Sequence, residues 1–236
     1  MTNNASIVIE PGTMRDYDAL AVFHYRASPP ATVARGPRGA PVVLRARDAE
    51  SGSLAGVLVV SMPTLNGSWR DLAWPGRYSS GDKRRDAARI NAELRCISRV
   101  VVDPRWRGLG VARGLVRAYL DTPLTPATEA LAAMGAVCPF FERAGMTPYT
   151  LPPAPHDARF LDALWECGVE PWSLLDPALA RRTLERRPWL ERELRAWARG
   201  SPTTRRHAGA DALSLARLAA ARASVRITAY AAVGER

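Results

Sequence analysis

The clearest chemistry in the sequence lies in Val100-Val101-Val102-Asp103-Pro104-Arg105-Trp106-Arg107-Gly108-Leu109-Gly110-Val111-Ala112. An apolar strand ends in a glycine-bearing turn that opens a helix. The first N–H groups of a helix have no acceptor within it, and its dipole attracts anions, so such a start can hold a phosphate. Gly108 and Gly110 remove side chains that would block a close approach. Arg105 and Arg107 can add charge. The spacing fits neither GxxxxGK[ST], the nucleoside triphosphatase loop, nor the dinucleotide fingerprint GxGxxG. The three His and three Cys are scattered without ligand spacing, so no metal is expected.

The elements that must position this turn can be read around it. Residues 6–10 alternate as a short strand, and Thr13 with Asp16 caps a helix reaching about Arg26. Leu20, Phe23 and Tyr17 are its expected inward residues. Two strands follow near 41–47 and 54–62, with Glu50-Ser51-Gly52-Ser53 as a turn. Residues 63–85 read as irregular. A helix near 86–95 feeds the strand Cys96–Val102. Past the turn, a helix from about 110 to 121 buries Val111, Leu115, Val116 and Tyr119 at helical spacing. A strand near 128–134, a short helix over about 138–144 and a strand from Met146 to Leu151 complete this part. Beyond Pro152 helix signals dominate: Asp157 before Phe160, Leu161 and Leu164, Asp176-Pro177, Pro188 to Gly200, and Asp211 capping 212–223. Ser224 to Val233 alternates again, with Val225, Ile227, Ala229 and Ala231 on one side. The expected organisation is a core over 1–155, an Arg-rich helical insertion over 156–222, and a returning strand with the tail over 223–236.

Composition bounds the class. With 236 residues, 47% hydrophobic and 24% charged, the chain can bury a core without staples. Three cysteines do not make a disulfide framework, which points to reduced thiols and a cytoplasmic setting. The longest apolar stretch, Leu54 to Met62, is too short to cross a bilayer, and MTNNASIVIEPG lacks the marks of a signal peptide. The net charge is +10, and Lys83 is the only lysine among 33 basic residues. A GC-rich genome or an anionic partner accounts equally well for so much arginine. Twelve arginines against four acids between Arg181 and Arg226, with Trp189 and Trp197 interleaved, suit nucleic acid; an Arg-rich helical cap is the simpler alternative.

This order of elements resembles the GNAT acetyltransferase family. Arg105, Gly108 and Gly110 match its [QR]-x-x-G-x-[GA] pattern between the fourth strand and third helix. Pro139-Phe140-Phe141-Glu142-Arg143-Ala144-Gly145-Met146 is similar to its "FYEKxGF" signature after the fifth strand. The resemblance covers about residues 6–151 and the final strand. Within the family, Phe23-His24-Tyr25-Arg26, Ile90-Asn91 with Arg95, Ile97-Ser98-Arg99-Val100-Val101-Val102 and Glu129-Ala130-Leu131-Ala132-Ala133-Met134 resemble GNAT domains attached to ABC-type ATPase-like proteins.

The resemblance implies an α/β (α+β) GNAT fold, a mixed sheet with splayed fourth and fifth strands. It implies transfer of an acetyl group from acetyl-CoA, used as co-substrate without a metal, to a small-molecule or macromolecular amine. Val100, Val101 and Val102 would meet the pantetheine. Arg105, Arg107, Gly108, Leu109, Gly110, Val111 and Ala112 would hold the pyrophosphate. Phe140 and Phe141 would lie along the CoA arm or in the core. Transfer needs an acceptor amine freed of its proton and an acid for the leaving thiolate. Phe141 stands where the family often has the acidic tyrosine, so Tyr149 or Tyr25 would replace it. Cys138, close by, reads as a buried structural thiol. Glu93 is the nearest candidate base, and Glu129 a base or an ion-pair partner. His24, Tyr25 and Arg26 would face the acceptor. Two other readings stand beside transfer to an amine: an acyl-CoA-binding module with little catalysis, and an enzyme acting on RNA or DNA through the Arg-rich helices.

Overall fold

The computed structural model describes residues 6–25 and 27–233. It divides into two compact units, one built from the chain up to Thr150 and again from Ile227, the other from Leu151–Arg226. The first holds a seven-stranded sheet in the order β1-β2-β3-β4-β5-β7-β6. Its elements are β1 (Ile7–Pro11), α1 (Met14–Leu20), β2 (Val43–Asp48), β3 (Leu54–Ser61), α2 (Arg70–Ala73), α3 (Lys83–Glu93), β4 (Leu94–Val102), α4 (Val111–Asp121), β5 (Ala127–Ala132), α5 (Phe140–Arg143) and β6 (Thr147–Thr150). Between β6 and the last strand the chain forms the second unit, with α6 (Pro155–Glu166), α7 (Pro177–Arg186), α8 (Leu190–Arg199), α9 (Pro202–Arg205) and α10 (Ala212–Ala223). It then returns as β7 (Thr228–Val233). The fold is mixed α/β: β4 and β5 run parallel and the other neighbours antiparallel.

Alternation along the strands makes two hydrophobic layers. Ala46, Leu58, Val60, Ala130 and Tyr230 pack with Val111, Leu115, Val116 and Tyr119 of α4 and with Phe141. Tyr17 and Leu20 of α1 cover Val57, Val59 and Val101 on the opposite side. β3 therefore reads as an uninterrupted apolar run, because both its faces are covered. The cap of α1 forms as the sequence suggests, with the Thr13 N–H and hydroxyl donating to Asp16 Oδ2 at 2.7 and 2.9 Å.

Several expectations are corrected. The first helix ends at Leu20, followed by a 3-10 turn over Ala21–Phe23. Val22, Phe23, His24 and Tyr25 are weak helix formers, and Phe23, expected inward, is 43% exposed. Arg26 lies outside the described residues. The last strand starts at Thr228, because residues 224–227 are exposed and have no layer to join. Its Ala229, Tyr230 and Ala231 are all buried, because β7 runs between β5 and β6 and is covered on both faces. The irregular stretch 63–85 contains α2 and the start of α3, and it buries Trp69, Trp74 and Tyr78.

The helical unit has its own core, which includes Phe160, Leu164, Leu174, Leu190, Leu194, Trp197 and Leu215. Trp197 Nε1 donates to Asp157 Oδ1 at 2.9 Å, and Arg222 Nε lies 2.9 Å from Asp157 Oδ2. Trp189 precedes the helix as its N-cap and stays 40% exposed, so the two tryptophans do not share a buried face.

One glycine sets the distance between α4 and the sheet. A Cβ on Gly56 would lie 2.9 Å from Val111 Cγ1, 3.1 Å from the Val101 carbonyl oxygen and 3.2 Å from Leu115 Cδ1. Gly56→Ala is expected to push α4 outward and cost about 1–3 kcal/mol. The thermal transition of the sheet unit should fall by about 2–10 °C in calorimetry, with the helical unit unchanged.

Candidate functional site

The site begins where β4 and β5 part. Their register runs only from Leu94↔Ala127 to Ile97↔Ala130. β4 then continues to Val102 while paired only with β3. Among the described residues no strand faces Ser98–Val102 on the β5 side. Alternate residues there turn their N–H and C=O groups toward the opening; the Ser98 carbonyl accepts from Arg99 Nη1 at 2.8 Å and the Val102 carbonyl from Arg107 Nε at 3.3 Å, and the groups left over must be satisfied by a bound molecule or water. A bulge marks the parting point: Val59 pairs with Arg99 and Val60 with Ile97, leaving Ser98 as the extra residue. Ser98 Oγ lies 2.6 Å from Ser61 Oγ and 3.2 Å from the Val59 carbonyl oxygen.

At the end of β4 the chain makes a 3-10 turn over Pro104–Trp106 and reaches α4 through Gly108 and Gly110. Both glycines have φ of 81°, in the left-handed region where a side chain is strained. Gly110 is the N-cap of α4 and gives it no side-chain cap. The N–H groups of Val111 and Ala112 in its first turn are therefore left for a ligand. A Cβ at either glycine would meet nothing within 4 Å, so the space in front of them is open. Val111 is buried and anchors the helix, whereas Leu109 is 55% exposed.

The two arginines of the turn differ. Arg105 is held by Asp103, with Nε to Oδ1 at 3.0 Å and Nη2 to Oδ2 at 2.8 Å. This pairing, with the Arg105 N–H on Oδ1, keeps the Asp103 carboxyl below its ordinary range and raises the Arg105 guanidinium. Much of the Arg105 charge is thus balanced locally. Arg107 Nε donates to the Val102 carbonyl at 3.3 Å and forms no ion pair among the described residues, although its charge also helps to lower the Asp103 carboxyl.

The remaining predicted residues are dispersed. Glu93 ends α3, just before β4, with Arg77 Nε on its Oε2 at 2.8 Å. It stands five residues before Ser98, about 16 Å along a strand, which separates it from the opening. Tyr149 lies on β6, its ring 6.3 Å from that of Trp69. Tyr25 stacks on His24 at 4.5 Å, both in the segment after the 3-10 turn. Phe141 is 5% exposed and packs against Tyr230 at 5.1 Å, which makes it a core residue; Phe140, partly buried, stacks on it at 4.4 Å. Val101 is buried, whereas Val100 and Val102 are half-buried beside the opening.

Sequence reasoning left the interior ion pair undecided. Glu129 of β5 is 2% exposed and receives Arg70 Nε at 2.7 Å and Nη2 at 2.8 Å. Arg70 Nη2 also donates to the Thr64 carbonyl at 2.6 Å. This bidentate pair makes Glu129 a structural anchor and fastens residues 64–70 over β5. The Ser61–Ser98 pair was missed, and the only signal for it is a serine within each of two apolar runs. Among the described residues no group of His, Cys, Asp and Glu could hold a metal ion, and no helix is long and apolar enough to cross a membrane.

No protein-family model and no curated protein matches the chain. Solved structures are similar to it at low level. A mosquito arylalkylamine N-acetyltransferase like 5b shares 14% identity over 62% of this chain and 86% of its own, with a TM-score of 0.37. NAA60 of Arabidopsis thaliana, solved in complex with acetyl-CoA, shares 15% identity over 61% and 86%, with a TM-score of 0.40. A histone acetyltransferase HPA2 and related acetyltransferase from Corynebacterium glutamicum shares 17% over 64% and 90%, with a TM-score of 0.38. At these scores no function passes from them to this chain, and the functional reading rests on its own residues.

The cysteines give a direct check on the geometry. Cys138, expected buried, is exposed, because it lies in the turn between β5 and α5 where no layer covers it. Cys96, on β4 beside the Arg70–Glu129 pair, has its thiol pushed up to about 12 by burial and then by the Glu129 charge. At pH 8 iodoacetamide should modify Cys138 within minutes and leave Cys96 unmodified until the chain is unfolded, as read by peptide mass spectrometry.

Proposed function

We propose that this chain is a GNAT-type, CoA-dependent N-acyltransferase that uses acetyl-CoA. One observation carries the reading: β4 and β5 part at Ile97/Ala130, and the freed strand leads directly into an uncapped helix start behind two positive-φ glycines. A ligand with a polar, amide-bearing arm ending in a pyrophosphate is complementary to both. The arm would pair with those β4 groups over Ser98–Val102 that have no partner in the chain, the Ser98 and Val102 carbonyls being held by Arg99 and Arg107. The pyrophosphate would rest on the N–H groups of the Gly108–Ala112 turn, with Arg107 adding charge. Bound acetyl-CoA would supply a thioester activated for acyl transfer. The chain's part is to bind that arm, exclude a competing strand and hold the acceptor in line. The acceptor nitrogen forms the new N–C bond as the C–S bond breaks, and the amine proton leaves while the thiolate gains one. Neither Glu93, paired with Arg77, nor the buried Phe141 reaches the opening, so the reading places those protons with the acceptor's solvent or with hydroxyls near the bulge. The acceptor is an amine of unassigned class. The narrower likeness to GNAT domains beside ABC-type ATPase-like proteins, and a cytoplasmic setting, rest on the sequence runs alone.

The same observation on Glu93 and Phe141 favours a second reading, an acyl-CoA-binding module with little turnover. Calorimetric titration with acetyl-CoA, followed by chromatography of CoA released with a panel of amines, separates the two. Binding with release supports the enzyme, and binding without release with any amine supports the module. Gly108→Trp places a large side chain in front of α4 and in a strained backbone region. It should weaken acetyl-CoA binding at least tenfold, worth about 1.4 kcal/mol, with the circular dichroism spectrum retained. Unchanged affinity in a folded Gly108→Trp protein would show that the turn does not bind CoA.

A further inference from the structure

We propose that the helical unit carries a binding site for single-stranded nucleic acid at the corner between α7 and α8, distinct from the CoA opening and independent of acyl transfer. Among the described residues, nine of the twelve arginines between Arg181 and Arg226 have no carboxylate within ion-pair distance; Arg192, Arg195 and Arg222 have one. Four of the nine, Arg181, Arg182, Arg186 and Arg187, lie at this corner. Arg182 and Arg186 are exposed one turn apart on α7, whose inward side is set by buried Ala180. Only Arg187-Pro188-Trp189 separates α7 from α8. Arg187 Nη2 fixes this link by donating to the Cys167 carbonyl at 2.9 Å. Trp189 is 40% exposed there. Arg192 follows one turn later, its N–H on the Trp189 carbonyl at 3.1 Å, its side chain 79% exposed and 3.9 Å from Glu193.

The nearby acids do not cancel this charge. Glu193 is held by Arg159 through two bonds of 2.7 and 3.0 Å, and Glu191 by Arg195 at 2.9 Å. Glu185 is the one carboxylate of α7, against two exposed arginines on the adjoining turns and Arg181. An indole flanked by guanidinium groups along about three helical turns suits a polymer with a base and a phosphate per unit. The bases stack on the ring and the phosphates pair with the forks. A duplex hides its base faces, so a single strand is the better fit. Trp165 shows that exposure alone is not the criterion: it is 85% exposed, but Asp162 and Glu166, both near it on α6, would repel phosphate.

The test is fluorescence anisotropy of the full chain with fluorescein-labelled dT20 and rU20, and with heparin as competitor. Binding should weaken about 20- to 50-fold between 50 and 200 mM KCl, as expected for three or four neutralised phosphates. Trp189→Ala should cost at least about fivefold, and Arg182→Ala with Arg186→Ala at least tenfold. Trp165→Ala, and Arg205→Ala with Arg206→Ala at the end of α9, should each change affinity less than twofold. Circular dichroism confirms that each variant folds. Four results would overturn the proposal: no binding at 50 mM KCl, indifference to Trp189→Ala, equal loss at the Arg205 and Arg206 pair, or a tighter hold on heparin or a duplex than on dT20.

Discussion

The constraint on which the sheet unit depends is a parallel pair that shares only four residues of register. β4 must join two antiparallel halves of the sheet, β1–β3 on one side and β5, β7 and β6 on the other. It meets the second half from Leu94 to Ile97 and then diverges. The bulge at Ser98 bends the strand at that place, and the Ser61–Ser98 hydroxyl contact gives the extra residue a partner. The divergence leaves β4 saturated on one side and open on the other, with a helix start at its end. In the proposed function both features serve one ligand.

Holding such a gap open requires each half to be rigid without the other. The β1–β4 half has buried side chains on both faces of β3. The β5–β7–β6 half is covered on one side by Phe141 against Tyr230. On β5 it is also tied by the bidentate Arg70–Glu129 pair. A buried pair contributes little net stability, because desolvating two charges offsets most of their attraction. Breaking it by removing one partner is costly, so its effect is to fix the position of residues 64–70 over β5. Cys96 lies beside that pair and is kept as an unreactive thiol.

Much of this was legible in the sequence where local rules suffice. The register of α4 follows from the spacing of Val111, Leu115, Val116 and Tyr119, all buried as expected. The caps Asp176 and Asp211 hold the first turns of α7 and α10 as their positions suggest, through N–H bonds of 2.8 and 2.9 Å to Asp176 and 2.9 Å to Asp211. The glycines of the turn before α4 declare themselves by spacing. The hidden parts depend on distant partners. Arg70 and Glu129 are 59 residues apart, and nothing near either marks the pair. Glu93 resembles a free carboxylate until Arg77 is seen on it, and Cys138 resembles a core thiol until its turn is seen to lack a covering layer. Residues 63–85 lack periodicity because Trp69, Trp74 and Tyr78 pack as a cluster, with rings 5.6 and 6.0 Å apart, and not along a regular face.

The central claim is that the opening beside β4 and the turn before α4 act together as one ligand site. Amide hydrogen exchange with and without acetyl-CoA, read by mass spectrometry, tests it most directly. Protection confined to peptides spanning Ser98–Val102 and Gly108–Ala112, with β1 and β2 unchanged, is the predicted result. Acetyl-CoA binding that leaves both segments exchanging at their free rates, or that protects only peptides elsewhere, would contradict it.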